Sequence, residues 1–145
     1  MPTVFLDANI YFAAVRSRVG GSYFVIELAK KKSLRVVAVA HVLAEAERNI
    51  EKKVGEEALR AHYENLLTIK PVIQSLTFVP IEFEEKLGQC LPEKDLPIIL
   101  GALLSGTEVL ITLDQKHFLK NEKLLKLNLP IAIMTPGEFI KQYIL

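Results

Sequence analysis

Two apolar runs that each end in an aspartate constrain this chain more than anything else in it. Val4-Phe5-Leu6 leads to Asp7, and Val109-Leu110-Ile111-Thr112-Leu113 leads to Asp114. A short unbroken apolar run reads as a strand buried on both faces, and such strands belong to parallel sheets covered by helices. In such sheets ligands lie just outside the C-terminal ends of the strands. Both acids fall there. An acid placed at the end of a buried strand has to be satisfied by something, because an unpaired buried carboxylate is costly.

The rest of the chain alternates between the two periodicities. Strands are expected at 3–6, 34–40, 76–79, 109–113 and 131–134. Helices are expected at about 9–15, 23–32, 41–54, 56–69, 82–91, 96–104, 114–125 and 135–144. Ser22 is the expected cap of the second helix, which would bury Phe24, Ile26, Leu28 and Ala29 and end in Lys30-Lys31-Lys32, where cations suit the helix dipole. Residues 56–69 are the clearest amphipathic helix, with Leu59, His62, Tyr63, Leu66 and Leu67 at helical spacing. His62 has no second ligand-type residue at ligand spacing and reads as a packed histidine. Alternation of this kind argues an α/β chain of three layers, with a mostly parallel central sheet of about five strands between helices.

Half of the 145 residues are hydrophobic, and no linker, repeat or low-complexity run divides them, so one domain over 1–145 is expected. Lys plus Arg is 18 against 17 for Asp plus Glu, which points to no bulk electrostatic partner but leaves local patches open. One cysteine, Cys90, gives no internal disulfide framework and suits a reducing compartment. No signal-peptide pattern and no apolar run of bilayer length is present, so a cytoplasmic protein without a membrane partner is expected.

Four acids start or end elements that meet a common edge: Asp7, Asp95, Asp114 and one glutamate of the helix at 41–54. Drawn together they repel, and a divalent cation cancels that repulsion. The candidate ligands are oxygen-only, which suggests Mg²⁺ or Mn²⁺ rather than zinc. Each acid has an ordinary alternative. Asp114 and Asp95 can cap the helices that follow them. Asn9 is a turn former or a group that steadies the ligands from behind. Thr112 is strand filler or a hydrogen-bond partner of a metal-bound water. On a helical wheel Glu47 flanks the apolar face more closely than Glu45. Other chemistries lack their motifs: there is no Walker loop, no G-x-G-x-x-G and no nucleophile elbow. A haloacid-dehalogenase-type phosphatase needs a second acid where Asn9 stands.

Leu6-Asp7-Ala8-Asn9-Ile10, Val42-Leu43-Ala44-Glu45, Lys94-Asp95-Leu96-Pro97-Ile98 with Leu104-Ser105-Gly106, and Val109-Leu110-Ile111-Thr112-Leu113-Asp114 with His117-Phe118 occur in that order. Together they resemble the PIN-domain family of nucleases over nearly the whole chain. The resemblance implies a Rossmann-like sheet and a Mg²⁺- or Mn²⁺-dependent ribonuclease. It implies Asp7, Glu45, Asp95 and Asp114 as the acidic quartet, preferring Glu45 to Glu47. Many prokaryotic members are toxins of toxin–antitoxin pairs and self-associate, so an antitoxin and a homodimer are implied as partners. One departure is that Val39-Ala40-His41 lacks the Ser or Thr that members often carry before this helix.

The expected reading is therefore a metal-dependent ribonuclease of the toxin type. Asp7, Asp95 and Asp114 would bind the metal, with Glu45 completing the shell and Asn9 and Thr112 behind it. Arg16, Arg18, Lys116 and Lys120 would hold the RNA backbone. The rival readings are a PIN-like module that binds RNA or protein without turnover, and a small phosphatase acting on phosphomonoesters.

Overall fold

The computed structural model describes residues 1–145. Five strands, β1 (Thr3–Leu6), β2 (Arg35–Ala38), β3 (Val72–Ile73), β4 (Val109–Ile111) and β5 (Ala132–Met134), form one sheet in the order β3-β2-β1-β4-β5. Every pairing is parallel, so the expected mostly parallel sheet is parallel throughout. The middle of the sheet is the most apolar part of the sequence. Val4, Phe5, Leu6, Val109, Leu110 and Ile111 are each 0% exposed, as strands covered on both faces must be. Register aligns Phe5 with Val37 on one side and with Leu110 on the other.

The helices are α1 (Ala8–Arg16), α2 (Gly21–Lys30), α3 (Ala40–Lys53), α4 (Glu56–Ile69), α5 (Ile81–Gly88), α6 (Leu96–Leu104), α7 (Glu122–Leu125) and α8 (Pro136–Phe139). Helices α1 to α4 pack on one another, and α6 lies against α5 and the sheet. Helix α6 approaches the strands closely because Gly101 has no side chain: a Cβ there would meet Val39 Cγ1 at 2.5 Å and Phe5 Cε2 at 2.9 Å. Overpacking of this kind costs about 1–3 kcal/mol. Gly101→Ala is accordingly expected to lower the unfolding free energy by that amount, seen as a lower urea midpoint at an unchanged slope. An unchanged midpoint would mean that α6 sits further from the sheet.

Several local expectations are corrected. The strand expected at 76–79 lies earlier, at Val72–Ile73, where it pairs with Val37 and Ala38. Residues 76–79 are held out of a ladder by a serine–threonine turn: Ser75 Oγ and Thr77 Oγ1 lie 2.7 Å apart, and Thr77 N–H donates to Ser75 Oγ at 3.2 Å. Ser22 does not cap α2; Gly20 takes that position and Ser22 is buried in the first turn. The buried face of α2 is Val25, Ile26 and Ala29, while Phe24 is 44% exposed. Helix α4 has the expected bounds but a narrower buried stripe: His62 and Ile69 are buried, whereas Leu67 is 74% exposed. His62 packs edge-on to Tyr11 at 5.6 Å, and burial holds its pKa below the ordinary imidazole value.

The lysine run does more than face the dipole of its own helix. Lys32 Nζ donates to the carbonyls of Thr68 and Ile69, capping the C-terminus of α4. The helical stretch expected at 114–125 is divided: a wide π-type turn spans Gln115–Leu119, and Asn121 then caps α7 by accepting from Leu124 N–H at 3.1 Å. The last helix starts with a capping box between Thr135 and Glu138 and widens into a π-type turn over Ile140–Ile144. No helix is long and apolar enough to cross a membrane.

Candidate metal centre

The sheet order turns at β1. From there the chain proceeds outward to β2 and β3, then returns to place β4 and β5 on the other side. A crevice opens where such an order reverses, at the C-terminal ends of β1 and β4. Asp7 directly follows β1, and Thr112 and Asp114 follow β4. The two strand ends are tied together, since Asp7 N–H donates to the Ile111 carbonyl at 3.0 Å.

Side chains tie them further. Asp7 Oδ1 accepts from Ala8 N–H at 2.7 Å, and Asp7 Oδ2 accepts from the Thr112 hydroxyl at 2.7 Å and from Asn9 Nδ2 at 3.2 Å. Thr112 Oγ1 in turn accepts from Asp114 N–H at 3.0 Å, and Asn9 Oδ1 accepts from Leu113 N–H at 3.1 Å. Thr112 is thus no strand filler. It is fully buried and fixes both strand-end acids at once.

The other two acids come from helical segments. Asp95 closes a 3-10 turn at Glu93–Asp95 and holds the cap position of α6, yet its side chain caps nothing. It is 7% exposed, and its Oδ2 has no hydrogen-bond partner. Buried polar atoms are rarely left in that state. Glu45, on α3, lines the same cavity. Glu47 points elsewhere and acts on His62 and Tyr63, as two helical positions about 200° apart should. The wheel's slight preference for Glu47 fails because this cavity lies at the margin of the apolar stripe of α3.

The cavity holds about 200 Å³ and is lined by Asp7, Glu45, Asp95 and Asp114, with Asn9, Asn49, Lys53, Lys94, Phe12 and Ile98 among the other walls. His117 was not expected at the site. Its backbone N–H donates to Asp114 Oδ1 at 2.9 Å, and its Nδ1 lies 3.1 Å from Oδ2 of both Asp114 and Asp95. Only the contact with Asp114 has hydrogen-bond geometry, so the Asp95 oxygen accepts no hydrogen bond. Ligand atoms of Asp95, Asp114 and His117 lie within 4.8 Å of one another. The cluster is therefore not oxygen-only, and Asp7 sits beside it in the cavity wall.

Electrostatics follow from this crowding. Burial pushes the Asp7 carboxyl up to about 6, aided by the charges of Glu45 and Asp95 and opposed by its hydrogen bonds from Thr112 and Ala8. Burial also raises Asp95, with His117 and Lys94 opposing and Asp114 and Glu45 assisting. Four carboxylates and one imidazole nitrogen suit a divalent cation, whose charge would offset the repulsion among the acids.

The expected cations are elsewhere. Lys116, Lys120 and Arg18 are exposed and do not line the cavity; Arg18 borders surface depressions near Glu27 and Glu57. The cations at the cavity are Lys53 and Lys94. Arg16 reaches its edge through Phe12: the Arg16 guanidinium and Lys53 Nζ lie 5.8 Å and 5.9 Å from the Phe12 ring centroid.

No family model and no curated protein matches this sequence. Solved structures do. A chain of the crystal structure of VapBC2 from Rickettsia felis, bound to a DNA fragment from their promoter, superposes with a TM-score of 0.65 at 21% identity, over 92% of this chain and 98% of that one. A chain of the 2.2 Å structure of VapBC-1 from nontypeable Haemophilus influenzae gives a TM-score of 0.54 at 19% identity, over 93% and 98%. At such identity the likeness is one of fold, and it is the fold that the PIN-domain resemblance implies.

Proposed function

We propose, from the fold shared with these two VapBC structures as the premise, that the chain is a divalent-metal-dependent ribonuclease of the toxin type. The observation that carries this reading is the meeting of Asp7, Glu45, Asp95 and Asp114 in one cavity at the turning point of the sheet, with a buried Asp95 oxygen that accepts no hydrogen bond and has His117 Nδ1 at 3.1 Å. Asp95 and Asp114 would hold the cation, with Asp7 and Glu45 completing its surroundings. Mg²⁺ or Mn²⁺ there would supply polarisation of a phosphate oxygen and a lowered pKa for a bound water.

The chain's own groups have separable roles in this reading. Thr112 and Asn9 hold Asp7 in one orientation, so the carboxylate needs little rearrangement on binding. Lys53 and Lys94 at the cavity wall, with Arg16 at its edge, would take the phosphates flanking the scissile bond. Lys53→Ala is expected to weaken RNA binding and to reduce the slope of log affinity against log salt by about 1, measured in chelator so that no cleavage intervenes. An unchanged slope would remove Lys53 from the RNA path. Lys116→Ala, away from the cavity, should change the slope less.

The two-component name of the matched structures supports a proposal of an antitoxin partner. A cytoplasmic setting and a homodimer as the working assembly are further parts of the proposal. The test of the activity is incubation of the full chain with mixed RNA in Mn²⁺, in Mg²⁺ and in chelator. Cleavage that requires the cation is the expected result. Release of phosphate from an aryl phosphate, with RNA left whole, would replace this reading with a phosphatase.

A further inference from the structure

We propose that His117 is a direct nitrogen ligand of the cation held by Asp95 and Asp114, and that it biases the site toward Mn²⁺ and other transition cations over Mg²⁺. This rests on the metal centre described above but not on RNA being its substrate.

The geometry carries it. Two ligands about 2.1 Å from one cation and at right angles to each other are about 3.0 Å apart. His117 Nδ1 lies 3.1 Å from Oδ2 of Asp95 and 3.1 Å from Oδ2 of Asp114. The same nitrogen therefore stands at ligand spacing from two carboxylate oxygens borne on different elements. One of those oxygens is buried and accepts no hydrogen bond. Hydrogen-bond geometry at this nitrogen is met only toward Asp114. A cation among the three atoms would serve both acids.

The imidazole is also held in place. His117 lies three residues after Asp114 in the turn Gln115–Leu119, and its backbone N–H is bound by the same aspartate. Its carbonyl accepts from Asn121 Nδ2 at 2.8 Å, and Asn121 also donates to the Cys90 carbonyl at 2.9 Å. The turn that carries the ring is thus pinned at both ends. Ligation through Nδ1 needs only the neutral tautomer with its proton on Nε2, so no charge is added to a site already crowded with carboxylates. Oxygen donors suit Mg²⁺ and Mn²⁺ alike, whereas an imidazole nitrogen favours the transition cations.

The test is pulsed electron paramagnetic resonance of Mn²⁺ bound to the full chain, beside metal titration of His117→Ala and His117→Gln. Nitrogen modulation typical of imidazole is expected in the wild type and absent from both variants. Mn²⁺ affinity should fall about tenfold or more in both, with Mg²⁺ affinity changing less. Bound Mn²⁺ with no nitrogen modulation, modulation that survives His117→Ala, or equal losses for the two cations would each overturn the proposal. RNA left uncleaved by a chain that still shows the nitrogen signal would count against the ribonuclease alone.

Discussion

Asp7→Asn is expected to slow metal-dependent RNA cleavage by about 100-fold or more while making the cation-free protein more stable at neutral pH. Both effects come from one buried carboxyl. Asp7 is 4% exposed and its pKa rises from 3.8 to about 6, chiefly through burial. Below about pH 3.8 the group is protonated in folded and unfolded chains alike, and its burial costs nothing extra. Between 3.8 and about 6 the unfolded chain ionises first, so stability is lost as pH rises through that window. Above it the loss is complete, at most roughly 3 kcal/mol. An asparagine removes the charge but turns an amide toward Asn9 Nδ2, so a net gain of about 1–2 kcal/mol is expected. Chemical denaturation in chelator checks the sign: the variant should be no more stable than wild type at about pH 4, where only the amide mismatch is felt, and more stable at about pH 7.5. A variant that is less stable than wild type by the same margin at both values would mean that Asp7 is not held ionised against its surroundings.

Asp95 makes the second large effect. An oxygen that accepts no hydrogen bond, burial and the nearby charges of Asp114 and Glu45, only partly offset by His117, describe a carboxyl that gains from a cation. A ligand at about 100 times its dissociation constant stabilises the folded state by about 2.7 kcal/mol, which for a chain of this size is about 5–10 °C in melting temperature. Wild type is expected to show that rise on addition of Mn²⁺. Asp95→Asn should melt at nearly the same temperature with and without the cation. A rise of equal size in the variant would place the cation elsewhere.

The sequence carries more of the scaffold than of the chemistry's surroundings. Buried strands at Val4–Leu6 and Val109–Ile111 are legible because an unbroken apolar run has few other uses, and the acids after them follow from the same pattern. Strand β3 is not legible: it is two exposed residues at a sheet edge, defined only by pairing with Val37 and Ala38. Phe24 and Leu67 fit helical stripes yet face outward, since periodicity gives a face but not its width.

At the site, Thr112 looks like any β-branched strand residue until Asp7 is known to lie beside it. Of the basic residues expected around the site, Arg18, Lys116 and Lys120 do not line the cavity, since position along the chain does not say which way a surface side chain faces. Part of the missing signal was present. Asn49 and Lys53 lie four and eight residues after Glu45 on one helix, so all three share a face. His117 lies three residues after Asp114 at the start of a helical turn, spacing that lets a histidine fold back onto an aspartate. That it also meets Asp95 depends on the Glu93–Asp95 turn coming beside the Gln115–Leu119 turn, which no local pattern contains.

The most direct test of the account is a time course of mixed RNA with wild type, Asp7→Asn and Asp95→Asn, each in Mn²⁺ and in chelator. The account predicts cleavage by wild type in Mn²⁺ alone, and none above background from either variant. Cleavage by Asp7→Asn and Asp95→Asn at the wild-type rate in Mn²⁺, or cleavage by wild type that persists in chelator, would contradict it.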